Sequence, residues 1–415
     1  MDDQILVGID IGTTKICTLV ARQESSGQLR ILGVGIEPSH GLRKGVVVDL
    51  EASSQAVARS IDRAERTSGI EILSALVSLA GSNVSSVNSR GVVGVAGQVI
   101  DEDDVVRAVD AARAVAIPHN REIVHIVQRG CNVDGQDGIR MPIGMHGYRL
   151  EVETHIITAT AASIENLRQC VDATGVEVAQ FVLNPLASAE VVLTDTERQM
   201  GVVVCDVGGG TTDMAIYVDG DVWHTAVLSV GGNHITSDIA QVLRLPESQA
   251  EEIKLQHGHA DDAAIEAGQF FNVKPFGEQE IVQVEHLELV RIINARVEEI
   301  FTMVLEEIKR SGYDGLLPAG MVLTGGSSAM PGIRPVASRV LGLPVRVAEP
   351  ENLIGMTDRL HSPAFSTSVG LLDWALLMSE INAPDSVRRR SHRTTSGNGA
   401  VDWNRIRNWL QRLLP

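Results

Sequence analysis

Aromatic residues are scarce, at 3% of 415 residues, so Val, Ile, Leu and Ala must fill most of any core. The four cysteines (Cys17, Cys131, Cys170 and Cys205) are scattered and show no metal-ligand or redox spacing. That pattern argues against a zinc site or a disulfide framework and fits reduced core thiols in a cytosolic protein. The opening MDDQILVGIDIG is acidic and has neither the basic nor the apolar region of a signal peptide. No stretch approaches the ~18–20 consecutive apolar residues of a spanning helix, so a protein kept in the cytosol is expected. Both Gly-x-x-x-x-Gly-Lys-Ser/Thr and Gly-x-Gly-x-x-Gly are missing, which leaves P-loop and Rossmann readings without their required element. The net charge of −18 argues against nucleic-acid binding by the main body.

What is present is a soluble globular composition: 44% hydrophobic, 21% charged, mean hydropathy +0.08. The length suits two to four domains or subdomains. Apolar runs alternate with helical periodicity, the mark of an α/β protein. Ile5 to Val20 reads as two strands around Gly12-Thr13-Thr14, Ala52 to Ser68 as an amphipathic helix, and Ile72 to Ala80 as a buried strand. Residues 83–160 read as an inserted α+β module. Its helix is capped at Asp101 and striped by Val105, Val109, Ala112 and Val115. His125–Val133 and Leu150–Ala159 are its strands. A helix from Ile164 to Ala173 is stopped by Gly175. Val202 to Tyr217 repeats the opening pattern, and the segment after it reads as mostly helical: Ile235–Leu245, Ser248–His257 and the long Leu287–Lys309. Val322-Leu323 is a strand running into Gly325-Gly326 and another helix, and Thr367 to Ile381 is the last helix of the body.

Two segments share one design. Val7-Gly8-Ile9-Asp10-Ile11-Gly12-Thr13-Thr14-Lys15 and Val204-Cys205-Asp206-Val207-Gly208-Gly209-Gly210-Thr211-Thr212-Asp213 each carry a strand ending in Asp, a small-residue turn with a Thr pair, and a second strand. Glycine lets backbone N–H groups approach phosphate oxygens, and a run of them makes an anion nest. Thr hydroxyls and Lys15 add donors, and a strand-end Asp can hold Mg2+ through its waters. A matched pair at domain spacing predicts a clamp on a nucleoside triphosphate. Leu323-Thr324-Gly325-Gly326-Ser327-Ser328 would suit a base or ribose lying on the backbone.

The charge is uneven: residues 386–415 hold seven Arg and one Asp, a net +6, leaving −24 on the rest. Residues 382–400, with Arg388, Arg389, Arg390 and Arg393, read as a flexible linker. In residues 401–415, Trp403, Ile406, Trp409, Leu410, Leu413 and Leu414 share one helical face flanked by Arg405, Arg407 and Arg412. A helix of ~13 residues is about 20 Å long, too short to span a bilayer but suited to lying in an anionic interface. A partner's groove and the chain's own body are the other surfaces such a face could cover.

The three Gly-rich segments resemble the phosphate 1, phosphate 2 and adenosine motifs of the actin, Hsp70 and sugar-kinase superfamily. That resemblance implies an actin-like α/β fold: two ribonuclease-H-like domains around an ATP cleft, an inserted α+β subdomain, and a C-terminal amphipathic helix on a linker. Asp10 and Asp206 would hold Mg2+ through water. Gly12, Thr13, Thr14, Lys15, Gly208, Gly209, Gly210, Thr211 and Thr212 would lie at the phosphates, and Gly325 and Gly326 by the adenosine.

Within that superfamily, Ser39-His40-Gly41-Leu42-Arg43-Lys44-Gly45, the insert, the tail and Ala250-Glu251-Glu252-Ile253-Lys254-Leu255-Gln256-His257-Gly258 resemble the FtsA family of bacterial cell-division proteins. Lys254 then becomes a nucleotide contact. The implied division is subdomain 1A at 1–82 and 161–200, 1C at 83–160, 2A at 201–231 and 319–363, 2B at 232–318, and a closing helix at 364–381. The implied partners are FtsZ, received by 2B, further copies of the chain in an actin-like filament, later division proteins, and the cytoplasmic membrane face at the division site. Glu165 is the weak candidate for a catalytic acid, so ATP turnover is expected to be slow or absent. A pilus-assembly adaptor such as PilM and a small-molecule kinase are rival readings within the same superfamily; a chaperone like Hsp70 would need a large peptide-binding domain after Ile381.

Overall fold

The computed structural model describes residues 4–24, 28–115, 117–277 and 280–382. The linker at 382–400 and the amphipathic segment with Trp403, Ile406, Arg407, Trp409, Leu410, Leu413 and Leu414 therefore lie outside the described residues, except for Asn382.

Two sheets carry the fold, and they share a plan. In the first, strand Ile5–Ile11 is antiparallel to Lys15–Gln23, which is antiparallel to Leu29–Pro38. On its other side Ile5–Ile11 runs parallel to Ser74–Leu79, and that strand parallel to Glu177–Leu183. In the second sheet, Val202–Val207 is antiparallel to Thr212–Val218, itself antiparallel to Asp221–Leu228. The far side again holds two parallel strands, Met321–Thr324 and Val345–Val347. Five strands thus repeat in one order with one set of directions, and only Ile354–Gly355 is added to the first sheet. Asp221–Leu228 is a strand where the sequence pattern reads as helical. Its exposure alternates only in part, so the period-2 signal is weak.

Helices back each sheet. Leu50–Ser68 is capped by the Asp49 carboxylate, which accepts from the Ala52 N–H at 3.0 Å, and ends at Gly69 with φ of 71°. It buries Ala56, Val57, Ile61 and Ala64. Strand Leu29–Pro38 comes so close that a Cβ on Gly35 would lie 1.8 Å from the Ser60 carbonyl oxygen. Behind the second sheet, Gly232–Leu243, His286–Ser311 and Ile333–Leu341 share one core that includes Val203, Ile239, Val297, Phe301 and Val336. Between the sheets a third core is built by Leu186, Ala187, Val204, Tyr217, Leu371 and Trp374. There helix Asn184–Val192 crosses helix Ser366–Asn382, with Gly370 so close that a Cβ would meet the Ala187 oxygen at 1.9 Å.

The insert forms a separate four-stranded antiparallel sheet in the order Ser85–Gly94, Arg149–Thr160, Arg121–Val133, Gln136–Ile139. Its helix, Glu102–Arg113, starts in a capping box between Asp101 and Asp104. It ends before Val115, and its buried face centres on Ala108 and Ala112, with Val105 and Val109 at the edge of the cluster. Small residues are needed because the strand opposite is as close as the chain permits. The insert also touches the second half: Ser86 Oγ donates to the Thr225 oxygen at 3.0 Å, and His155 Nε2 lies 2.9 Å from Thr225 Oγ1. All four cysteines are buried and free.

At Gly91 a Cβ would lie 1.8 Å from the Ala108 carbonyl oxygen and 2.5 Å from the Ala112 nitrogen, both backbone atoms that cannot step aside. Gly91→Ala is expected to cost about 1–3 kcal/mol as overpacking, read by urea denaturation. Unchanged stability would show that the insert's helix does not sit as tightly as described.

Candidate functional site

The two hairpins match bond for bond. Asp10 and Asp206 occupy the penultimate positions of their strands. The Gly12 N–H donates to the Lys15 oxygen at 3.0 Å, and the Gly208 N–H to the Thr211 oxygen at 2.9 Å. The turns face each other. A Cβ on Gly209 would lie 2.3 Å from Thr14 Cγ2, and one on Gly210 would lie 2.6 Å from Thr13 Oγ1. Threonines of one turn therefore fit where the other has only glycine.

Between them lies a cleft of about 350 Å³. Asp10, Gly12, Thr13, Thr14, Lys15, Asp206, Gly208, Gly209, Gly210, Thr211, Lys254, Gly325 and Gly326 all line it. Thr212 does not: it is fully buried in its strand and its hydroxyl donates to the Val230 oxygen at 2.8 Å. Alternation on a strand explains this, since Thr211 and Asp213 point to one side and Thr212 to the other. Glu165 is also elsewhere, exposed on helix Ala161–Asp172, 3.8 Å from Arg168 and accepting from Gln169.

The second turn is held from behind. The Gly208 oxygen accepts from the Gly232 N–H at 2.9 Å and from Ser327 Oγ at 2.9 Å, and the Gly209 oxygen accepts from the Asn233 N–H at 2.8 Å. In a trans peptide the next N–H points the opposite way, so the Gly209 and Gly210 N–H groups are directed away from these partners. That is the geometry of an anion nest. Gly325, at φ of 85°, lies against Asp206; a Cβ there would come within 2.3 Å of Oδ1. Lys15 Nζ donates to the Ala364 oxygen and lies 4.5 Å from the Phe365 ring centre. Lys254 Nζ is 2.6 Å from Glu251 and donates to Thr236 Oγ1 at 2.8 Å.

Several cleft residues escape a reading of the sequence. Asp213 is 2% exposed, lines the cleft, accepts from Thr211 Oγ1 at 2.8 Å, and has an Oδ1 with no partner. Its cross-strand pairing with Asp206 is the signal that could have found it. Asn184, whose Oδ1 is likewise buried without a partner, and Glu251 and Asn233 also line the cleft. Nothing in the local sequence sets Asn184 and Asn233 apart, whereas Glu251 stands in the family-like segment that holds Lys254. Burial, the first cause, raises the Asp213 carboxyl well above the ordinary range, and Asp206 beside it adds to the rise. Asp206 is pushed up to about 6, first by burial and then by Asp10, against the Thr367 hydrogen bond. Among the described residues no group of three or more His, Cys, Asp or Glu side chains forms a direct metal cage.

The duplicated sheets, the crossing helices between them and the cleft at the facing turns define an actin-like fold. Solved structures of that class superpose on the chain. A PilM–PilN type IV pilus biogenesis complex chain matches with a TM-score of 0.63 at 15% identity, covering 89% of this chain and 98% of that one. MreB 5 of Spiroplasma citri bound to AMPPNP matches with a TM-score of 0.56 at 14% identity, covering 95% and 100%.

The sequence narrows this class to one family. The family model for cell division protein FtsA matches residues 203–370, and that for the SHS2 domain inserted in FtsA matches residues 81–158. The FtsA of Pseudomonas aeruginosa is 39% identical over 98% of both chains, and that of Escherichia coli K12 is 35% identical over 99% of this chain and 98% of its own. The chain belongs to the FtsA family of cell division proteins.

A carboxyl raised in the folded state binds its proton there more tightly than in the unfolded chain. The share of ligand-free stability that Asp206 contributes should therefore be lost as pH rises from about 4 to about 6, with Asp213 carrying a further loss to higher pH. Asp206→Asn should flatten that part of the profile and raise stability at pH 7.5 by roughly 1–3 kcal/mol. Melting temperatures across pH 4.5–7.5 check it, and a variant less stable than its parent at pH 7.5 would refute it.

Proposed function

We propose that this chain binds ATP with Mg2+ between its two halves and works as a nucleotide-controlled adaptor at the division site. The observation that carries the reading is the pair of hairpins, identical in turn bonding, that face each other across one cleft lined by three aspartates and Glu251. The donor set fits a triphosphate. Thr13, Thr14, Lys15, Gly208, Gly209, Gly210 and Thr211 would hold the phosphate oxygens through N–H, hydroxyl and ammonium donors. Gly325 and Gly326 would leave room for the adenosine, with Lys254 beside it. The partnerless Oδ1 atoms of Asp213 and Asn184 are acceptors suited to the waters of a hydrated cation.

Magnesium, when bound, would neutralise phosphate charge and relieve the repulsion among the acids. Asp10 and Asp206, joined by Asp213, would hold it through water. The part played by the chain itself is to orient the triphosphate from both sides, which ties the closure of the halves to occupancy of the cleft. Subdomains 1A (1–82, 161–200), 1C (83–160), 2A (201–231, 319–363) and 2B (232–318) would then present surfaces for filament contacts, for FtsZ on 2B and for later division proteins on 1C. Family membership supports these assignments, as does the sequence of residues 401–415, whose tryptophans, leucines and arginines would tether the chain to the anionic cytoplasmic membrane face.

Two measurements test the reading. ATP titration with Mg2+ should give saturable binding that weakens at least tenfold in Asp10→Asn and Asp206→Asn. Co-sedimentation with anionic liposomes should be lost when residues 401–415 are removed, and FtsZ should pellet only with the full-length chain. Binding of ATP unaffected by both substitutions would end the nucleotide reading. Equal sedimentation with and without 401–415 would end the tether.

A further inference from the structure

Helix Ser366–Asn382 begins with three consecutive hydroxyl residues, all buried: Ser366 and Ser368 are 0% exposed and Thr367 is 6% exposed. Hydroxyls at a helix start commonly cap the helix's own N–H groups. Two of these instead reach the strand-end acids of the two separate sheets. Thr367 Oγ1 donates to Asp206 Oδ2 at 2.9 Å, and Ser368 Oγ donates to Asp10 Oδ2 at 2.7 Å. Successive residues on a helix point about 100° apart, so one helical turn can serve acids on two hairpins that face each other. Ser366 Oγ lies 2.6 Å from Thr324 Oγ1 at the end of a strand that pairs with the Asp206 strand. The helix has little freedom to shift. A Cβ on Gly8 would lie 2.9 Å from Leu371 Cβ, which shows how tightly the helix rests on the first strand, and Gly370 abuts Ala187 on the other side.

From this geometry we infer that Thr367 and Ser368 are positioning residues: they fix the orientation of Asp206 and Asp10 so that the carboxylates present preset acceptor faces to the waters of a divalent cation. The inference rests on the nucleotide reading above and deepens it. A hydroxyl donor suits this task because it orients a carboxylate while leaving its full charge available to the cation. A Lys or Arg in the same place would neutralise the acid and compete with the metal. Asp10 is held from a second side by Ser78 Oγ, donating to Oδ1 at 3.0 Å, so both of its oxygens are fixed by neutral donors. Because both hydroxyls sit on one rigid turn, the two acids are set relative to each other, which neither hairpin could do alone.

The test is a Mg2+ titration of ATP binding by the full-length protein, with the parent, Thr367→Val, Thr367→Ser and Ser368→Ala compared and folding checked by melting. Loss of a residue that orients a metal-holding acid typically costs tenfold or more in metal affinity. Thr367→Val and Ser368→Ala should each raise the Mg2+ concentration for half-maximal enhancement by about tenfold. ATP affinity in EDTA should change by less than about twofold, since the hydroxyls act through the acids. Thr367→Ser, which keeps the donor, should behave as the parent. A merely structural role would weaken binding in EDTA and in Mg2+ alike, and that result overturns the inference, as does a normal Mg2+ response in both variants. A parent that binds no ATP at all would remove the nucleotide reading and this one with it, whereas a parent with normal Mg2+-dependent binding and unaltered variants removes only this one. Should Ser368→Ala fail to fold, the Thr367→Val and Thr367→Ser pair decides the matter.

Discussion

Three like charges held at one buried junction set the terms for the rest of this molecule. Asp10, Asp206 and Asp213 are 5%, 7% and 2% exposed and line a single cleft. Buried carboxylates that repel one another are expensive unless each is hydrogen-bonded. Here neutral hydroxyls meet that need: Ser78 and Ser368 at Asp10, Thr367 at Asp206 and Thr211 at Asp213. The arrangement lowers the cost of burial without cancelling the charge; burial first, and then repulsion among the acids, still raises Asp206 and Asp213. A site optimised for stability alone would carry an arginine or no acid. The tension marks this junction as the candidate functional site, since strongly displaced pKa values cluster at such sites.

The duplicated frame and its unequal contents explain one another. With an offset of 196 residues, Asp10 matches Asp206, Gly12 matches Gly208 and Lys15 matches Thr211. Thr13 and Thr14 then match Gly209 and Gly210. Were both turns built from threonine, the methyl groups would collide; were both glycine, the halves would meet with a void. Bulk on one side and bare backbone on the other lets the turns close while leaving N–H groups exposed for an anion. The same offset places Cys17 opposite Asp213. Burial pushes the Cys17 thiol up to about 12, so it stays neutral and the first hairpin adds no further charge. One more acid at that position would add a fourth carboxylate to a cluster already strained by three.

Much of the fold and most of the site were legible in the sequence because their signals are local. Strand, Asp, Gly-Thr turn and strand are contiguous in both copies, and the Asp101 cap and the apolar stripe of His286–Ser311 need only neighbours to be read. Asp221–Leu228 was hidden because the strand's partly buried face blurs its alternation. Ser85–Gly94 was hidden because it is polar along much of its length and owes its place to pairing with Arg149–Thr160 far along the chain. Asp213 lay inside a recognised motif, yet its role depends on facing Asp206 across the hairpin. Thr212, one residue away, illustrates the opposite error: a hydroxyl in a phosphate motif looks like a donor until strand alternation turns it into the core. Asn184, Thr367 and Ser368 carry no signal at all, for each acquires meaning only when helices from distant parts of the chain converge on the cleft.

That convergence is also what joins the two halves. Helices Asn184–Val192 and Ser366–Asn382 cross in the core between the sheets, with backbone in near contact at Gly370 and Ala187. Packed interiors resist graded deformation and move between discrete arrangements instead. A helix wedged so closely cannot follow one sheet without the other, and its first turn is bonded to an acid from each. Any ligand that pulls on Asp10 and Asp206 together must therefore act on the packing of that helix as well. The hydrogen bonds that orient the acids and the glycine that lets the helices cross are parts of a single constraint, which holds the two strand-end acids and the two halves in one fixed relation.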